Sequence, residues 1–131
     1  MVDFIRSYVT AVHNAEAACL QVTFKGFINY DELVEVIAYE FEMIRHYKIK
    51  KCLVNLREIS VYPDGGQDYI KEVWFPQVIK DGMLIAAFVV PDDTFGKMSM
   101  QEAHNYPQSN LLMKHFNDAD QALAWLVSQQ V

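Results

Sequence analysis

The sequence predicts an α/β domain: a single mixed, mostly parallel sheet with an N-terminal antiparallel hairpin and helices packed on it. Three observations carry that reading. Segments with a strand's period of two alternate along the chain with segments of helical period. The run Met83 to Val90 has no polar interruption, as a strand covered on both faces requires. Finally, 131 residues that are 52% hydrophobic and 21% charged make one domain, 1–131, able to bury a core without disulfides or a structural metal.

Taken in order, Ile5 to Val12 and Ala17 to Lys25 read as two strands around Asn14-Ala15-Glu16. In the second, Leu20, Val22 and Phe24 alternate with Gln21, Thr23 and Lys25, and Gly26 ends the pattern. Asn29 followed three residues later by Glu32 is a capping-box spacing. From there Leu33, Ile37, Phe41 and Ile44 recur at helical spacing, with Asp31, Glu35, Glu42 and His46 towards another face. The basic end of this helix, Arg45, His46, Lys48, Lys50 and Lys51, complements the helix dipole. Cys52 to Leu56 is a short apolar strand. Asp64 to Lys80 is rich in helix formers and closed by Gly82, and Pro76 must kink or split it. After Pro91, Asp92 or Asp93 caps a short turn, and Ser99-x-x-Glu102 is a second capping box. Pro107 precedes a last strand, Leu111 to Phe116. Asn117 caps a final helix with Ala119, Leu123 and Leu126 on one stripe. The predicted order is β-β-α-β-α-β, short helices, then β-α.

Charge and motifs exclude several functions. Seventeen acids against eleven bases leave a net charge of −6, which repels phosphate backbones and anionic lipid. Neither nucleic acid nor membrane is therefore an expected partner. The longest apolar run is far shorter than the roughly 20 residues of a membrane-spanning helix. No basic leader precedes an apolar stretch at the N-terminus, so a cytoplasmic location is expected. Cys19 and Cys52 stand apart without C-x-x-C spacing and read as buried hydrophobes. There is no G-x-G-x-x-G, Walker-type loop or G-x-S-x-G. The four histidines, His13, His46, His104 and His115, are scattered, and Glu102 with His104 supplies too few ligands for a metal. No catalytic residue, metal or cofactor is assigned, and the chain is read as a binding protein without enzymatic activity.

The loop Arg57 to Gly66 is more informative. Ligands of open α/β sheets favour the crevice beyond the carboxyl ends of parallel strands, and this loop and Pro91 to Phe95 would build that rim. Asp64, Gly65 and Gly66 form either an anion- or partner-binding loop, whose glycines let backbone N–H groups approach closely, or a plain turn in which Asp64 caps the helix. Tyr69, Trp74 and Phe95 are the candidate pocket or contact surface. In that reading Trp74 meets the ligand or partner while Trp125 anchors the last helix. Open edge strands and many large aromatics predict self-association, most simply as a symmetric homodimer.

Several segments resemble the SpoIIAA-like group of STAS-related proteins. They are Lys50-Lys51-Cys52-Leu53-Val54-Asn55-Leu56-Arg57, Phe24-x-Gly26, Trp74-Phe75-Pro76, Ala87-Phe88-Val89-Val90, Phe95-Gly96-Lys97-Met98-Ser99, and Phe116-Asn117 with Ala122-x-x-Trp125-Leu126. The resemblance covers nearly all of the chain beyond the first strand. It implies a fold shared with anti-sigma-factor antagonists and, distantly, with CRAL-TRIO-type lipid-transfer domains. It further implies a regulatory protein-interaction module, the alternative being a carrier of a small apolar or amphipathic ligand. The family's antagonists carry a regulatory phosphoserine in an Asp-Ser-Ser-Gly turn. Here that turn falls on Pro63-Asp64-Gly65-Gly66, which holds no serine; Ser60 lies nearby but out of place. No phosphoswitch is expected within 63–66.

Overall fold

The computed structural model describes residues 1–59, 61–106 and 110–131, apart from the side chains of Thr94 and Phe95. Six strands form one mixed sheet in the order β1-β2-β3-β4-β5-β6, the order of the sequence itself. β1 (Phe4–Ile5), β2 (Val9–Asn14) and β3 (Cys19–Lys25) are an antiparallel meander. β4 (Lys51–Glu58), β5 (Ile85–Val89) and β6 (Leu112–Phe116) continue it in parallel. The α/β class and the mixed, mostly parallel sheet are thus as the sequence predicts. The strand expected over Ile5 to Val12 is instead two, separated by a turn in which the Arg6 N–H donates to the Val9 carbonyl at 2.9 Å. No glycine or proline marks that turn, which is why the pattern hid it.

The helix α1 (Tyr30–Tyr47) starts as its capping box requires. The Asn29 side chain accepts from the Glu32 N–H at 2.8 Å, and Glu32 returns a bond to the Asn29 N–H at 3.0 Å. Its buried stripe is Leu33, Val36, Ile37, Glu40, Met43 and Ile44, with Phe41 half-buried against the same core, so a carboxyl that the apolar pattern did not include sits among apolar residues. The next helical segment consists of α2 (Gly66–Tyr69), a π-helical turn (Ile70–Trp74) and α3 (Phe75–Lys80). Pro76 accounts for the middle piece. It has no N–H to offer the Glu72 carbonyl, and the backbone widens so that the Phe75 N–H reaches Ile70 O.

The segment after Pro91 is a single helix, α4 (Thr94–Ala103), capped by Asp93, whose carboxylate accepts from the Gly96 N–H at 2.7 Å. Ser99 therefore lies inside a helix and starts none. Helix α5 (Ala119–Ser128) is capped by Asp118, not by Asn117; the carboxylate receives the Asp120 and Gln121 N–H groups. Lys51, read as part of the basic end that complements the α1 dipole, is instead in β4, buried, and donates to the Leu126 carbonyl at 2.9 Å, tying the end of α5 to β4.

Helices cover the two faces unequally. Alternation along β5 sends Ala86, Phe88 and Val90 into a large core with α1, the α2–α3 segment and α4. Ile85, Ala87 and Val89 face a smaller core closed by Ala122 and Leu126 of α5. Among the described residues, no helix is long and apolar enough to cross a membrane.

Candidate functional site

The parallel strands all deliver their carboxyl ends to one rim. At its β3–β4 half, the chain after β3 and the loop after β4 meet. Phe27 is 80% exposed, and Tyr30 and Val61 are each 41% exposed. A hollow of about 170 Å³ separates Gly26 to Ile28 from Val61 to Pro63. Beyond Pro63 lies a second hollow of about 250 Å³, lined by Tyr62 to Gly65, Gln67 and Asp68. Tyr30 borders it: a Cβ added to Gly65 would stand 3.3 Å from its ring, and its edge meets Tyr69 at 5.7 Å between centroids. The apolar patch and the acidic hollow therefore form one continuous surface.

The predicted loop residues fall here in a specific arrangement. Gly65 adopts φ +80°, a left-handed conformation that glycine takes without strain, and it is the N-cap of α2 without a side-chain cap bond. Asp64 does not cap the helix. Gly66 is buried, and a Cβ there would lie 3.0 Å from Tyr62 Cβ and 3.2 Å from Leu33 Cδ2, so the second glycine serves close packing. Its N–H is spent on the Pro63 carbonyl at 2.7 Å. With Asp64 and Asp68 lining the hollow, an anion would meet like charge. Gly66 thus has no free N–H to offer an anion, and the charge of the hollow opposes one.

Tyr69 is half-buried at the rim. Trp74 is 3% exposed and packs edge-on against Phe75, so it belongs to the core and not to a contact surface. Trp125, expected to be the anchor, is only partly buried against Phe116. Trp74, in the π turn, is therefore core where a contact residue was expected, while Trp125 does pack against the α5 core. Ser60 and the Phe95 side chain lie outside the described residues.

Sequence reasoning missed a buried polar line behind this rim. Trp74 Nε1–H donates to Glu40 Oε1 at 3.1 Å, and both side chains border an internal void of about 10 Å³ with Tyr62. Burial pushes the Glu40 carboxyl up to about 7, the bond from Trp74 opposing it. Tyr62 Oη lies 2.7 Å from His104 Nε2, and His104 Nδ1 lies 2.9 Å from His115 Nε2. His104 is 2% exposed and stacks on Phe88 at 3.8 Å. Burial lowers the pKa of both imidazoles, helped by His115 at His104 and by Lys97 at His115. The histidines that looked scattered thus include an adjacent, neutral pair. Two signals were present in the sequence: Glu40 stands in the helical apolar stripe, and His115 holds an inward position of β6, in step with Leu111 and Met113.

Both cysteines are buried free thiols, and burial pushes Cys19 up to about 11 and Cys52 well above the usual thiol range. Neither is therefore a nucleophile at neutral pH. Among the described residues no three metal-ligating side chains cluster, and both ring nitrogens of His104 are occupied. A comparison with known protein families, curated proteins and solved structures finds no match for this chain.

Proposed function

We propose that the chain is a non-enzymatic, cytoplasmic protein-interaction module of the SpoIIAA-like type, docking its partner on the β3–β4 half of the rim. The observation that carries this reading is a filled interior beside an exposed aromatic patch. A carrier of an apolar ligand needs a cavity of about 300 Å³ or more. The internal void of about 10 Å³ has room for at most one water, and the hollow of about 510 Å³ between Gln67 and the Met98 to Glu102 side of α4 is an open surface groove that encloses no ligand. Meanwhile Phe27, Tyr30 and Val61 leave apolar surface in water next to exposed Asp31, Asp64 and Asp68. The complementary partner is a protein segment with an apolar anchor flanked by lysine or arginine. A second copy of this acidic chain would set carboxylates against carboxylates at the same place.

The test begins with a photo-crosslinking residue at position 27 in cells and a control at exposed Glu72. The adduct specific to position 27 identifies the partner, which is then purified. Phe27→Ser should weaken the complex at least about tenfold with an unchanged melting temperature, as expected for an aromatic anchor. Unchanged affinity would refute the surface. A stoichiometric small molecule retained in native mass spectrometry would refute the choice of module over carrier.

A further inference from the structure

At the other half of the rim, where β5 and β6 end, lies a cleft of about 250 Å³ that the proposed docking surface does not use. Its polar lining is Lys97 and Gln101 from α4, His115 of β6, Asn117 just beyond it, and Gln121 from α5. Lys97 and Gln101 are one helical turn apart and share a side of α4. No carboxylate lines the cleft. The nearby cation Arg57 is held by Asp92 at 2.7 Å and by the Asn117 carbonyl, whereas Lys97 makes no ion pair among the described residues. An exposed ammonium beside three side-chain amides and an imidazole gives this cleft a positive lining in a protein of net charge −6.

The buried chain behind the cleft fixes which proton His115 presents. Tyr62 is buried, and among the described residues its hydroxyl has one partner, His104 Nε2; a phenol that donates there makes that nitrogen the acceptor. The neutral His104 ring then carries its proton on Nδ1 and gives it to His115 Nε2. His115 must in turn carry its own proton on Nδ1. That N–H makes no bond to the described residues, and His115 is one of the residues that line the cleft.

We propose that this cleft binds a small ligand through an oxyanion, a phosphate monoester or a carboxylate, held by the Lys97 ammonium and the His115 Nδ1–H. Gln101, Asn117 and Gln121 supply further amide donors. Tyr62 and His104 are positioning residues: they touch no ligand and set the tautomer of His115. The site stands independently of the docking surface.

The purified chain is titrated with sodium phosphate and, separately, with sodium acetate at constant ionic strength, following amide and imidazole nitrogen NMR signals. Saturable shifts confined to the cleft support the site, and the oxyanion that binds tighter names the ligand class. Lys97→Met should weaken that binding at least about tenfold, the usual loss on removing a charged hydrogen-bond donor. Tyr62→Phe should leave the Lys97 contact but release the tautomer, so that the His115 ring nitrogens move from a pure Nδ1–H pattern to a mixed one. A linear response to both anions overturns the proposal. So does Lys97→Met binding as tightly as the parent, or a His115 tautomer indifferent to Tyr62→Phe.

Discussion

Glu40 makes stability depend on pH in a direction opposite to most carboxylates. It is 2% exposed, and its folded carboxyl titrates at about 7 against an ordinary 4.5. Between those values the native state holds a proton that the unfolded chain has lost, so stability is fully present below about pH 4.5 and declines as pH rises through about 7. At about 1.4 kcal/mol per unit, that shift corresponds to roughly 3 kcal/mol lost at alkaline pH. Glu40→Gln removes the titration while keeping a side-chain oxygen for the Trp74 Nε1–H. The variant should exceed the parent by about 1 kcal/mol or less near pH 5 and by about 3 kcal/mol near pH 8, the latter about 10 °C in Tm for a chain of this length. Urea denaturation of both proteins at intervals from about pH 5 to about pH 8 measures this. The lowered pKa values of His104 and His115 act the other way, costing stability as pH falls below the usual imidazole range. They act alike in both proteins, and the difference isolates Glu40. A difference that stays flat across the range would refute the reasoning.

Two further outcomes follow from packing. Trp74→Ala should cost about 3–5 kcal/mol, as loss of a buried tryptophan does, and the partly buried Trp125→Ala clearly less; thermal melts showing the reverse order would restore Trp74 to the surface. Gly66→Ala should cost about 1–3 kcal/mol, because its Cβ would press on Tyr62 Cβ at 3.0 Å. A variant as stable as the parent in urea would show that the loop can yield.

Much of the fold was legible because it rests on local rules. The Asn29–Glu32 capping box, the alternation in β3 and the unbroken apolar run of β5 each follow from spacing alone, and together they dictate a mostly parallel sheet. The rim was legible too, since Asp64 to Gly66 must follow a parallel strand. What the sequence left open were residues whose role depends on a distant partner. Pro76 announces a disturbed helix, but only the packing of α2–α3 on β5 shows that a π turn absorbs it and carries Trp74 inside. His104 and His115 are eleven residues apart on different elements, and only the parallel pairing of β5 with β6 beneath α4 brings their ring nitrogens to 2.9 Å. Lys51 reads as one cation among several until α5 folds back and offers it the Leu126 carbonyl. Hydrophobic period and capping act within a turn or a strand and are written in neighbouring residues. A buried polar contact joins groups whose separation is set by the whole sheet, so the tertiary structure alone decided it.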